Sequence, residues 1–94
     1  MASMFVKLRV ADFAAWKPVF DELEPTRRQA GFTAHSVHRD AEDPNVIIIA
    51  YRVGDIAHAK EYASSQDLRR AMQRAGVQGS PEFWFADDVE DKSY

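Results

Sequence analysis

The chain has 94 residues, 46% hydrophobic and 29% charged, with a formal net charge of −3 and no cysteine. That size allows one small domain, which gains from pairing with a copy of itself. The acidic balance argues against a dedicated nucleic-acid binder, and the missing cysteines exclude disulfides, thiolate metal sites and a cysteine nucleophile.

"MFVKLRV" (residues 4–10) alternates, with Val6, Leu8 and Val10 on one face and Phe5, Lys7 and Arg9 on the other, which predicts a strand. It holds no long apolar run, and no stretch of the chain approaches 18 apolar residues, so neither a signal peptide nor a membrane span is expected. The expected location is the cytoplasm, and Met1 to Ser3 read as a leader ahead of Met4. Asp12 then reads as a helix N-cap, followed by Phe13, Trp16, Phe20 and Leu23 at helical spacing. Lys17/Asp21 and Glu24/Arg28 form i,i+4 pairs on the solvated side. Pro18 and Pro25 predict kinks or breaks, and Gly31 ends the segment.

"FTAHSVHRD" predicts a second strand, "AEDPN" a turn and "VIIIAYRV" a third strand, paired as an antiparallel hairpin. The third strand is apolar on both faces near its start and belongs in the middle of the sheet. Asp55 caps a helix through Ala63. Ser64-x-x-Asp67 fits a capping box for another, with Leu68, Ala71, Met72 and Ala75 as its buried stripe. "GVQGSP" reads as a loop and "EFWFA" as a fourth strand, with 91–94 as a tail. The order βαββαβ is the split-βαβ pattern, an α+β, ferredoxin-like fold with a four-stranded antiparallel sheet over residues 4–90. Its two helical segments cover one sheet face. The other would carry Phe5, Val46, Ile48, Ala50 and Trp84, so a homodimer with the sheets face to face is expected.

The segments "DFAAWKPVFDEL", "DAEDPNVIIIAYRV" and "SSQDLRRAMQRAGVQGSPEFWFADDVE" resemble the small bacterial proteins of the dimeric α/β-barrel superfamily. The similar groups are the antibiotic biosynthesis monooxygenases and the polyketide-cyclase-like proteins. The resemblance implies the fold, the dimer and a ligand cleft between sheet and helices. Its members include cofactor-independent oxygenases, cyclases, isomerases, haem degraders and proteins without known activity. The haem-degrading members use an asparagine on the first strand, a tryptophan on the third and a histidine on the second helix. Here the corresponding strands offer Lys7 and Arg9, then Tyr51 and Arg52, and only His58 meets its requirement. Haem degradation is therefore not expected.

His35 and His38, three apart on a strand, point to opposite faces and cannot chelate one metal unless a bulge intervenes. His35 shares a face with Val37 and is assigned to the cleft as a candidate general acid/base. His38 is assigned to the dimer side, with Arg52 and Trp84. Tyr51 shares a face with Ile47, Ile49 and Val53, and its hydroxyl either orients a substrate through a ligand oxygen or bonds a backbone carbonyl. Trp16, Phe20, Phe83 and Phe85 are expected to shape the pocket, although core packing explains them equally. Arg27 continues the stripe of Phe13, Phe20 and Leu23. It either offers a charge to a carboxylate or enolate, or snorkels from the helix end.

No Walker loop, GxGxxG, metal spacing or nucleophile-base set is present. The expected chemistry is cofactor-free and metal-free: proton abstraction from an aromatic or polyketide-like phenol or enol, then cyclisation or reaction with oxygen. The alternative is a non-catalytic dimeric ligand-binding or scaffold module, its cleft filled by its own side chains.

Overall fold

The computed structural model describes all 94 residues. The elements are β1 (Ala2–Val10), α1 (Phe13–Glu22), α2 (Glu24–Gln29), β2 (Phe32–Arg39), β3 (Val46–Val53), α3 (Ile56–Ala63), α4 (Gln66–Arg74) and β4 (Val77–Asp87). The four strands form one antiparallel sheet in the order β2-β3-β1-β4. This is the ferredoxin-like arrangement, with β3 central and β2 at an edge.

Alternation along β1 and β3 builds the core. Met4, Val6, Leu8 and Val10 join Ile47, Ile49, Tyr51 and Val53 beneath the helices, all buried. The helices contribute Trp16, Phe20, Ala59, Tyr62, Leu68 and Ala75 to the same cluster. β1 begins at Ala2, which is buried and pairs with Val53 and Asp87, so the strand runs through two residues expected as a leader. The opposite face stays open in the single chain, with Phe5 39% and Trp84 48% exposed.

Four local readings change. α1 passes through Pro18 without ending, and the break falls at Leu23 instead. Pro25 then sits in the first turn of α2, where a missing N–H costs nothing. The cap of α4 is Ser65, whose Oγ accepts from Leu68 N at 3.2 Å, while the Ser64 hydroxyl donates back to the Lys60 carbonyl. The segment expected as a loop before the fourth strand belongs to β4. Its irregularity is a register shift in which Gly79 to Pro81 face Leu8, with Gly79 at φ +68° where glycine is favoured.

The fourth change positions the candidate site. β2 carries a bulge between Phe32 and Ala34, so that Phe32 pairs with Val53 and His35 with Tyr51. Residues three apart on a regular strand face opposite sides. The bulge restores both Phe32 and His35 to the helix side, and His38, opposite Ile48, lies on the open side as expected.

Candidate functional site

Break, helix and bulge converge at the β2 edge. A cleft of about 250 Å³ opens there between α2 and the β2–β3 hairpin, lined among others by Glu24, Arg27, Phe32, His35 and Tyr51. Behind it, between the sheet and the helices, a void of about 30 Å³ remains, lined by Trp16, Phe20, Leu68 and other apolar side chains. That is room for a water or two, so the interior proper is packed. Arg27 and Tyr51 line both spaces and form the partition between them.

Arg27 is the residue whose placement sequence reasoning understated. It is 3% exposed, and none of the chain's ion pairs includes it. Its Nη2 is buried without a hydrogen-bond partner, and its guanidinium carbon lies 3.9 Å from the centre of the Phe20 ring. The snorkelling alternative is thereby overturned. The signal was present in the stripe 13-16-20-23-27, which places Arg27 on the buried side of its helix.

Phe20 is the hub of the site. Its ring stacks on Trp16 at 4.8 Å, meets the His35 ring edge-on at 5.0 Å and lies 6.4 Å from Tyr51. Phe32 packs edge-on against both Tyr51 and Tyr62, each at 5.1 Å. Trp16 and Phe20 therefore support the site from the core and do not line the cleft. Phe83 and Phe85 are not brought to it. They pair with Val6 and Met4 from β4, at the sheet edge opposite β2, with Lys60 over the Phe85 ring.

The electrostatics follow from burial and from Arg27. Desolvation first, and then the Arg27 charge, holds the His35 imidazole below its ordinary value, with Glu24 and Asp21 opposing and Lys17 assisting. A neutral imidazole at pH 7 can accept a proton. Burial pushes the Tyr51 and Tyr62 phenols up, Arg27 pulling the other way, so both stay protonated as donors. Glu24 pairs with Arg28 at 3.0 Å, one of the two expected i,i+4 pairs; Lys17 and Asp21 form the other at 2.6 Å.

Of the residues assigned to an interface, His38 Nε2 lies 3.0 Å from Ser36 Oγ, and Arg52 pairs with Asp91 of its own chain at 2.9 Å. Trp84 pairs across β4 and β1 with Phe5 on the open face. No helix is long and apolar enough to cross a membrane.

By sequence, no family model matches the chain and no curated protein does. The fold does match solved structures. An antibiotic biosynthesis monooxygenase is 18% identical over 96% of this chain and 100% of its own, with a TM-score of 0.70. SnoaB, a cofactor-independent oxygenase from Streptomyces nogalater, is 13% identical over 96% of this chain and 94% of its own, with a TM-score of 0.74. Rv0793 from Mycobacterium tuberculosis is 11% identical over 98% of both chains, with a TM-score of 0.70. The chain thus has the ferredoxin-like α+β fold of the antibiotic biosynthesis monooxygenase-like structures, as the resemblance in its sequence implies. At these identities the likeness defines architecture, and chemistry has to be argued from the cleft.

Proposed function

We propose that the protein is a cofactor-independent enzyme of the monooxygenase or cyclase type, acting on an aromatic or polyketide-like phenol or enol in the α2–β2 cleft. The observation that carries this reading is the convergence of His35, Tyr51 and Arg27 on one cleft of about 250 Å³. A neutral imidazole, a protonated phenol and a fixed positive charge are the groups needed to form and hold an enolate. His35 takes the proton from the substrate hydroxyl, Tyr51 donates to the resulting oxygen, and Arg27 supplies the compensating charge. In the oxygenase branch, dioxygen is the oxidant. A ring methylene activated by the enolate gives up its two hydrogens, one oxygen atom becomes the carbonyl and the other leaves as water. The similarity in fold to SnoaB, a cofactor-independent oxygenase, supports this branch.

The working unit in this reading is a homodimer closed over Phe5, Ile48, Ala50 and Trp84. Trp16, Phe20, Phe83 and Phe85 keep the scaffold rigid. The alternative of a non-catalytic module draws support from the packed interior, where about 30 Å³ is left, but the outer cleft remains open to a ligand.

Oxygen uptake with a panel of fused-ring phenols bearing an adjacent methylene tests the proposal. Wild type should consume oxygen and yield the quinone, and His35→Ala should slow turnover by about 100-fold or more. Equal rates for wild type and variant would remove His35 from the mechanism, and no turnover of any phenol would favour the binding module.

A further inference from the structure

Arg27 carries an inference about what the cleft selects, resting on the reading of that cleft as a small-molecule site. A buried cation is normally matched by a carboxylate, because an isolated charge out of water costs several kcal/mol. Arg27 has no such partner in the chain: the neutral Tyr62 side chain hydrogen-bonds it, and its Nη2 has no hydrogen-bond partner. The other fixed charges of the cleft cancel, since Glu24 and Arg28 pair with each other. One uncompensated positive charge is therefore left at the partition between cleft and void, in a chain whose overall charge is −3.

The surroundings specify the rest of the ligand. Phe32 and Tyr51 give the cleft aromatic walls, and the Phe20 ring packs against the guanidinium from the core side. A guanidinium presents paired N–H donors suited to a carboxylate. The cleft volume of about 250 Å³ falls just below the usual range of roughly 300–1,000 Å³ for ligand sites, which favours a small ligand. We infer that the cleft recognises the carboxylate of a small aromatic acid through Arg27, with the ring system lying against Phe32 and Tyr51. The substrate class is then an aromatic acid that also bears the reactive phenol or enol.

The test uses 2-naphthoate and its neutral isostere 2-naphthamide as probes, with calorimetric titration of the wild-type protein and of Arg27→Met and Arg27→Lys. Naphthoate should bind wild type at least tenfold more tightly than naphthamide. Arg27→Met should abolish that preference, and Arg27→Lys should keep part of it. In wild type, the Arg27 guanidinium NMR resonances should shift further with naphthoate than with 2-naphthol. Equal binding of acid and amide, retention of the preference in Arg27→Met, or no naphthoate binding would each overturn the inference. So would a crystal structure grown with naphthoate in which an ordered water alone satisfies Nη2. The outcome is separable from the enzyme reading. Naphthoate binding without turnover of any phenol leaves this inference standing and removes the activity, whereas turnover of neutral phenols without acid preference does the reverse.

Discussion

The guanidinium of Arg27 lies 3.9 Å from the centre of the Phe20 ring, and with a hydrogen bond to the neutral Tyr62 side chain this is the compensation its buried charge finds in the chain. Such a cation–π contact contributes about 2 kcal/mol when buried, against several kcal/mol for removing a charge from water. The contact offsets only part of the cost, so the free protein is expected to hold Arg27 at a net expense. Arg27→Met keeps the stem and removes the charge, and its melting temperature should not fall below that of wild type. Arg27→Ala also opens a cavity beside Phe20 and should lose about 2 kcal/mol. Thermal denaturation of both variants checks this; a Met variant markedly less stable than wild type would contradict it.

His35 makes the pH dependence specific. Its imidazole is held below the ordinary value of about 6.5, by burial first and then by Arg27. The unfolded chain therefore takes the proton more readily than the folded one. The stability associated with His35 is fully present above the unfolded value and is lost as pH falls through the folded one. Turnover should rise through the same lowered value and level off by neutrality. His35→Gln should remove this part of the stability slope below pH 6.5, as followed by denaturation at a series of pH values. An unchanged slope would contradict the assignment.

The bulge between Phe32 and Ala34 is a second place to intervene. Deleting Thr33 removes the extra residue and leaves Phe32 and His35 two apart, so regular alternation keeps both on the helix side. Phe32 should therefore stay buried against Tyr51 and Tyr62 in the deletion variant, whereas Phe32→Ala should cost about 3 kcal/mol. Urea denaturation should show a large loss for Phe32→Ala and little for the deletion; a deletion variant as unstable as Phe32→Ala would contradict the assignment of the bulge to one extra residue.

The open face of the sheet leads to a prediction about assembly. Phe5 and Trp84 pair across β1 and β4 and remain 39% and 48% exposed. If a second copy covers them, wild type sediments as a dimer at micromolar concentration and Trp84→Glu as a monomer. A monomeric wild type would contradict the dimer.

The fold was legible because period-two alternation in residues 4–10 and 46–53 is strong, and Asp12 and Asp55 cap helices where expected. Boundaries were less legible where two signals compete. Ser64 and Ser65 are both competent caps, and Ser65 takes the role while the Ser64 hydroxyl turns back to the Lys60 carbonyl. Pro18 and Pro25 look alike in sequence, yet only the chain near Pro25 breaks. His35 was assigned to the helix side through Val37, and the bulge brings Phe32 to that side as well. Phe83 and Phe85 illustrate the opposite limit. Their face was readable, but their distance from His35 depends on strand order, which separates β4 from β2 by two strands. Burial of an unpartnered Arg27 runs against the usual rule that buried charges are paired, and such exceptions concentrate at functional sites.

The proposed function requires the α2–β2 cleft to be the place where a small molecule binds. Backbone and side-chain NMR shifts, mapped during titration with a phenol that the protein turns over, test this most directly. Shifts should concentrate at Arg27, Phe32, His35 and Tyr51, with Phe83 and Phe85 unmoved. Shifts concentrated on β4 or on the open sheet face around Phe5 and Trp84, with His35 silent, would contradict it.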